Sequence, residues 1–263
     1  MKILCVGDIF GEPGREALRR LLPGIISKHR IDFVLVNVDN AAGGKGLTDA
    51  IADELFQLPI HVMTAGNHIW EHNSIHGHLE THPILRPYNV EGKQRGKGFC
   101  IAAGTNGIPV GILHLQGRVF MESKGLKTDS PFRAVDGVLQ ELESQTRIII
   151  VDVHAEATAE KKAIGWYLDG RVSAVIGTHT HVQTADEQIL PHRTAYITDM
   201  GMTGPHGSII GMDPEVALKR FLSDGQFKKF KVGKDNVQLQ GVVIQIDEGN
   251  GAAVSIQRIQ EKL

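Results

Sequence analysis

Two histidines one residue apart, His179 and His181, close the apolar run Val172-Ser173-Ala174-Val175-Ile176-Gly177. Strand side chains repeat every two residues, so an extended H-x-H presents both imidazoles to one side. Neutral imidazole is a common metal ligand, and such a pair is the start of a metal site. The other donors stand in similar places. Asp8 follows Val6-Gly7, Asp39 and Asn40 follow Val36-Asn37-Val38, Asn67 and His68 follow Ala65-Gly66, and His154 follows the run 148–153. Each leaves an apolar run at its C-terminal end, where open α/β sheets bind ligands. The set holds two carboxylates, two amides and four imidazoles without a thiolate. Such donors suit Mn²⁺, Fe²⁺/³⁺ or Zn²⁺ better than Ca²⁺. One ion takes about four to six donors. Two ions about 3.5–4 Å apart, sharing a carboxylate and a water, use the whole set. With two carboxylates and a hydroxide the centre carries a net charge of about +1, which draws in a phosphate ester.

Taken singly, these residues have plainer readings. An aspartate after a strand is usually a turn former. His72 and His76, spaced i,i+4, and His78 read as a solvated helix face, while His29, His61, His82, His192 and His206 show no pattern. His114, at the end of an apolar run, is set aside with less ground. Two glycine-rich loops invite comparison with nucleotide cradles. The segment 7–14 lacks G-x-G-x-x-G spacing, and Gly43-Gly44-Lys45-Gly46 lacks both P-loop spacing and a Ser or Thr after the lysine. These loops let backbone pass close to metals. Lys45 is a candidate contact for substrate phosphate, with Arg118 and Arg171 as weaker ones.

The elements that must position these residues alternate. Short branched apolar runs at 3–6, 33–38 and 61–65 predict buried parallel strands. Helices are predicted over 15–28, behind Pro13-Gly14, and over 48–56, where Thr48 caps. Asn106-Gly107 between 99–102 and 108–113 predicts a hairpin. A helix over 132–145, strands at 147–153, 172–176 and 195–198, and a helix over 214–222 follow. The tail reads as strands at 227–232, 237–247 and 252–259. The result is an α/β architecture with an antiparallel C-terminal part. Segment 116–131 has no clear period and is expected to loop over the site.

The chain has 263 residues, enough for one large domain or two small ones. A net charge of −2 argues against a protein that coats nucleic acid or an anionic membrane. No apolar stretch approaches the ~20 residues of a membrane span. The first residues enter a strand pattern directly, with no secretory signal expected. Cys5 and Cys100 lie in apolar contexts and read as reduced, buried thiols, so a cytoplasmic location is expected.

Larger motifs then come into view: Gly7-Asp8 with Pro13-Gly14-Arg15, Asp39-Asn40-Ala41-Ala42, Gly66-Asn67-His68 with Trp70, Gln116-Gly117-Arg118, His154-Ala155-Glu156-Ala157-Thr158, Gly177-Thr178-His179-Thr180-His181, and Thr198-Asp199 with Gly201-Met202-Thr203-Gly204-Pro205. On these the chain resembles, over nearly its whole length, the YmdB-like bacterial phosphodiesterase branch of the calcineurin-like metallophosphoesterase superfamily. The resemblance implies a single domain over 1–263 with a four-layer α/β/β/α sandwich. It implies that Asp8, Asp39, Asn40 and His181 hold one metal, that Asp39 bridges, and that Asn67, His154 and His179 complete the second. His68 stays off the metals as general acid while a metal-bridging hydroxide attacks phosphorus. The expected cofactors are two divalent or mixed-valence ions, Fe or Mn first and Zn next. The expected substrate is a small phosphodiester, above all a 2′,3′-cyclic nucleotide. An RNA-related substrate, a protein partner and a homo-oligomer are further expectations. The alternatives are a phosphomonoesterase or nuclease on the same centre, or a metal-dependent nucleotide-binding regulator. Two positions depart from the pattern. Phe10 stands where the superfamily has a histidine, and Asp39 stands where the branch usually has glutamate.

Overall fold

A computed structural model describes residues 1–91, 95–121, 127–224 and 226–263. Its elements run β1 (Lys2–Val6), β2 (Asp8–Ile9), α1 (Gly11–His29), β3 (Phe33–Asn37), α2 (Asp49–Phe56), β4 (Val62–Thr64), a 3₁₀ turn (Asn73–His76), α3 (His78–Thr81), β5 (Ile84–Leu85), β6 (Phe99–Ala103), β7 (Pro109–Gln116), α4 (Pro131–Glu143), β8 (Ile149–His154), α5 (Thr158–Tyr167), β9 (Ala174–Thr178), β10 (Gln188–Ile189), β11 (Ala195–Ile197), β12 (Met202–Pro205), α6 (Pro214–Leu222), β13 (Val237–Ile246) and β14 (Ala253–Lys262). The first sheet has the order β2-β12-β13-β1-β3-β4-β5, with β14 also paired to β13. The second has the order β10-β11-β9-β8-β7-β6.

The period of two in the strands sorts their side chains into layers. Ile3, Cys5, Phe33 and Leu35 of the first sheet meet Val110, Ile112, Ile150 and Ile176 of the second in a core between the sheets. Leu4, Val6, Val34 and Val36 face the other way, against Leu18, Leu22 and Ile25 of α1 and Leu55 of α2. Leu113, Val151 and Val153 face outward from the second sheet onto Val135, Val138, Leu139 and Leu142 of α4. That helix buries residues at i, i+3, i+4 and i+7, a single apolar stripe. The layers therefore stack as α/β/β/α. Strands buried on both faces explain the unbroken apolar runs in the sequence.

Several elements differ from expectation. Helix α1 begins at Gly11, with Pro13 inside its first turn, where a missing N–H costs nothing, and Pro23 further along. Helix α5 and strand β12 have no counterpart in the predicted order. Residues 227–232 form no strand; Val232 makes an isolated bridge to Met212, and the Lys231 carbonyl accepts from Asp213 N at 2.9 Å, both partners lying outside the strands. Part of the segment expected to loop over the site is strand, since β7 runs through Gln116; residues 122–126 lie outside the described residues. Among the described residues, no helix is long and apolar enough to cross a membrane.

Candidate metal centre

The C-terminal ends of β1, β3 and β4 in one sheet meet those of β8 and β9 in the other. Asp8, Asp39, Asn40, Asn67, His154, His179 and His181 converge there. Asp39 Oδ2 lies 3.2 Å from His154 Nε2, Asn67 Oδ1 lies 3.1 Å from the same nitrogen, and His179 Nδ1 is also 3.1 Å away. On the other side, His181 Nε2 is 3.2 Å from Asn40 Oδ1 and 3.9 Å from Asp8 Oδ1. Gly66 permits the approach, because a Cβ there would sit 2.1 Å from the His154 ring.

The outer hydrogen bonds decide which atoms face inward. Thr178 Oγ1 donates its one proton to Asp152 Oδ1 at 2.9 Å. It therefore accepts from His154 Nδ1, 3.0 Å away, and His154 Nε2 is bare. His181 Nδ1 lies 2.9 Å from the Ile210 carbonyl, which can only accept, so its Nε2 is bare too. His179 Nε2 sits 3.3 Å from a Glu156 carboxylate oxygen, which leaves its Nδ1 bare. The Asn40 amide donates to the Gly44 carbonyl at 3.0 Å and turns its oxygen inward. Asp8 Oδ1 and Asp39 Oδ2 are buried without a hydrogen-bond donor. Three imidazole lone pairs and at least three oxygens thus face each other with no proton between them. In isolation that arrangement is repulsive. Cations resolve it, and spacings of 3.1–3.2 Å match neighbouring ligands around an ion with bonds of about 2.1 Å. The donor set fits divalent metal, with Asp39 Oδ2 turned toward His154.

The same crowding perturbs the carboxyl groups and the imidazoles. Burial, then the nearby carboxylates of Asp199 and Asp39, push the Asp8 carboxyl well above its ordinary range. Burial and the neighbouring His154 push His179 down to about 2, so its ring stays neutral and available as a ligand. Burial also pushes Asp39 up, but His154 and His68 outweigh it and hold that carboxyl at about 2.

The H-x-H segment reaches its place by a different route from the one its spacing predicts. Both histidines lie beyond β9, with φ of 100° at His179 and 64° at His181. They are on a left-handed loop, not on an extended strand. Such backbone costs about 1–3 kcal/mol per residue and persists only where neighbours fix it. Here Asp199 accepts from Thr180 N at 3.1 Å and Thr180 Oγ1 at 2.8 Å. Lys161 Nζ bonds both Asp199 Oδ2 and the Thr178 carbonyl at 2.7 Å. His179 N donates to Asp8 Oδ2 at 3.2 Å. Lys161 and Asp199 are fully buried. A second buried group lies behind His154, where Asp152 Oδ2 accepts from Thr64 Oγ1 at 2.6 Å and faces His114 Nδ1 at 3.2 Å. His114, set aside from sequence, thus belongs to the support of the centre.

His68 lies at the rim. Its backbone N donates to Asp39 Oδ1 at 2.9 Å, and its Nδ1 is 3.1 Å from Glu71 Oε1. The carboxylate fixes the ring as a donor on that side, so Nε2 accepts when the ring is neutral and donates when it is protonated. A cleft of about 380 Å³ opens above the cluster and is lined by His68, His179, His181, Asn40 and Lys45, with an apolar wall of Phe10, Ile210, Met212 and Phe230. A larger cavity of about 700 Å³ lies beyond the Ala42-Gly43 turn and touches none of the seven converging residues. Phe10, at the position of the superfamily's histidine, packs its ring edge-on to His181 at 5.4 Å.

Of the three basic candidates, only Lys45 lines the cleft. Arg171 is corrected: its guanidinium pairs with Asp136 at 2.6 Å and lies over Tyr167 on the outer helices. Arg118 lines no part of the cleft, and its backbone N is held by Glu160 at 3.0 Å. His72 is not on a solvated helix face. It precedes the 3₁₀ turn and its Nε2 meets the Lys45 carbonyl at 3.0 Å. Glu71 and Lys161 escaped the sequence reading, and Glu156 and Thr178 stood in its motifs without a role. Glu71 carried a signal in its spacing, three residues after His68 on a tight turn.

Residues 4–259 match the family described as YmdB-like protein. The chain is 44% identical, over 98% of its length and 96% of the relative's, to the 2′,3′-cyclic-nucleotide 2′-phosphodiesterase of Bacillus subtilis (strain 168). It superposes on a hypothetical protein from Thermus thermophilus with a TM-score of 0.91 at 38% identity, covering 100% and 99% of the two chains. A novel phosphatase from Mycoplasma pneumoniae gives a TM-score of 0.92 at 32% identity, covering 100% and 93%. The chain therefore belongs to the YmdB-like protein family.

Proposed function

We propose that the protein, as one metallophosphoesterase domain over 1–263, is a phosphodiesterase with two metal ions that hydrolyses 2′,3′-cyclic nucleotides. One observation carries the reading: bare imidazole nitrogens and donorless carboxylate oxygens from both sheets face a common point. Asp8, Asn40 and His181 would hold one ion, Asn67, His154 and His179 the other, and Asp39 would be shared. Fe or Mn suits these oxygen and nitrogen donors best, with Zn next. Bound there, the ions supply positive charge for the phosphoryl oxygens and a nucleophile at neutral pH.

The chain's own residues do the remainder. His68, held by Glu71, protonates the departing ribose oxygen as water adds across the P–O bond. Lys45 meets a non-bridging phosphate oxygen from the cleft wall. Phe10, Ile210, Met212 and Phe230 keep that side of the cleft apolar and give the base a surface. The poised His68–Glu71 pair favours turnover over a purely regulatory nucleotide-binding role. The test is hydrolysis of 2′,3′-cyclic AMP by protein loaded with Mn²⁺ or Fe²⁺, alongside bis-p-nitrophenyl and p-nitrophenyl phosphate. The expected result is turnover of the two diesters and little of the monoester. Inertness with every first-row divalent metal refutes it.

A further inference from the structure

We propose that the cleft is the head of a longer track, whose second part holds the phosphate of a preceding nucleotide. The preferred substrate is then a short oligoribonucleotide ending in a 2′,3′-cyclic phosphate, an inference that rests on the function proposed above.

A cavity of about 350 Å³ adjoins the cleft and shares Lys45 and Phe230 with it. Arg220, Lys228 and His72 line its far part, with Glu71 as its one carboxylate. Glu71 is engaged with His68. Among the described residues, no carboxylate pairs with Lys45, Arg220 or Lys228; Arg220 meets only the Met212 sulfur, at 3.5 Å. Three cations around one small cavity, in a chain of net charge −2, form a local anion site of the kind that binds a phosphodiester backbone. Phe230, 37% exposed and stacked on Phe10 at 6.3 Å, lines both the cleft and this cavity. Its ring is seated against the glycine loop, since a Cβ on Gly44 would fall 2.6 Å from it. An aromatic ring shared by two anion-binding places is the recurring device for single-stranded nucleic acid.

Chemistry fixes the direction of the track. A 2′,3′-cyclic phosphate occupies both the 2′ and 3′ oxygens of its ribose, so the chain can continue only from the 5′ oxygen. The extra phosphate is therefore the one that joins the preceding nucleotide. RNA cleavage by attack of a 2′-hydroxyl on the adjacent phosphate leaves ends of this kind. That class of transesterification would supply the substrate, and this protein would open the ring it leaves.

The experiment uses the full metal-loaded chain and two substrates, 2′,3′-cyclic AMP and diadenosine ending in 2′,3′-cyclic phosphate. We expect kcat/KM about tenfold higher for the dinucleotide, expressed mainly in KM, as one added charge-assisted phosphate contact would give. The advantage shrinks between about 50 and 200 mM NaCl. Arg220→Ala with Lys228→Ala brings the dinucleotide down to the mononucleotide's value and leaves the mononucleotide within about twofold. Equal kcat/KM for the two substrates overturns the track, and so does a preference that survives the double substitution. If neither substrate turns over, the proposed function fails. The track is then judged by binding: 3′-phosphorylated diadenosine should bind about tenfold tighter than 3′-AMP, and equal affinity refutes it.

Discussion

Replacing Thr178 by valine removes one hydroxyl and keeps the shape. That hydroxyl is fully buried, donates to Asp152 at 2.9 Å and accepts from His154 Nδ1 at 3.0 Å. Valine strands the His154 N–H and takes one donor from Asp152. Each unsatisfied buried group costs about 1–3 kcal/mol, so we expect a loss of about 2–6 kcal/mol. For a chain of this size each kcal/mol lowers Tm by about 2–4 °C. The effect on metal is more specific. Freed from Thr178, the His154 ring can carry its proton on Nε2 and give it to Asp39 Oδ2, 3.2 Å away. A proton then sits where the cation belongs. Partners behind metal-bound histidines are worth about 10–100-fold in affinity. We expect a loss of that size in competition with a chelator, equal at about pH 6.5 and about pH 8, because returning the proton to Nδ1 changes the tautomer and releases no proton. Thr178→Ser, which keeps the hydroxyl, should stay within about threefold of the wild type. Wild-type metal affinity in a folded Thr178→Val protein would refute the tautomer argument.

Three further outcomes follow from the same geometry. His68→Ala should lower kcat by about 10²–10⁴-fold with metal content unchanged, and Glu71→Gln by about tenfold; loss of metal from His68→Ala would make His68 a ligand instead. Lys161→Met leaves the buried Asp199 carboxylate without its cation and should cost about 3–5 kcal/mol in urea unfolding, with weaker metal binding because the His179–His181 loop is released. Burial would raise the Asp152 carboxyl, but His114 beside it holds it at about 2, below the ~3.9 of an unfolded aspartate. Its contribution to stability is thus complete above about pH 4 and drains away as pH falls toward about 2; Asp152→Asn should show a flatter acid limb by circular dichroism.

The converging donors were legible because strand ends announce themselves. Each of Asp8, Asp39, Asn67 and His154 follows an apolar run whose length and branching mark a buried strand, and the fold puts such ends on one edge. The runs also announced an α/β architecture, while the four-layer stacking was implied by the family resemblance. The route taken by His179 and His181 was not legible, because a left-handed loop leaves no mark when its residues are not glycine. Helix α5 was hidden by weak patterning: of its ten residues only Lys161, Ile164 and Gly165 are buried. Lys161, its most consequential residue, reads as a surface cation until the fold brings Asp199 to it from 38 residues away. Residues 227–232 alternate like a strand, yet Phe230 is committed to the cleft wall and not to a sheet. Contacts distant in sequence decide these cases, and local pattern does not contain them.

The place of β13 bears on how the molecule is made. This strand lies in the interior of the first sheet, bonded along one side to β14 and along the other to β1 and β12. Its Gln240 carbonyl also anchors Gly7, next to Asp8. During translation β1 emerges more than two hundred residues before its neighbour, and until Val237–Ile246 arrives one edge of β1 is an open template for pairing with another chain. A nascent polypeptide stalled before Val237 would lack the middle of its sheet. It should depend on chaperones to stay unaggregated, however well its helices have formed.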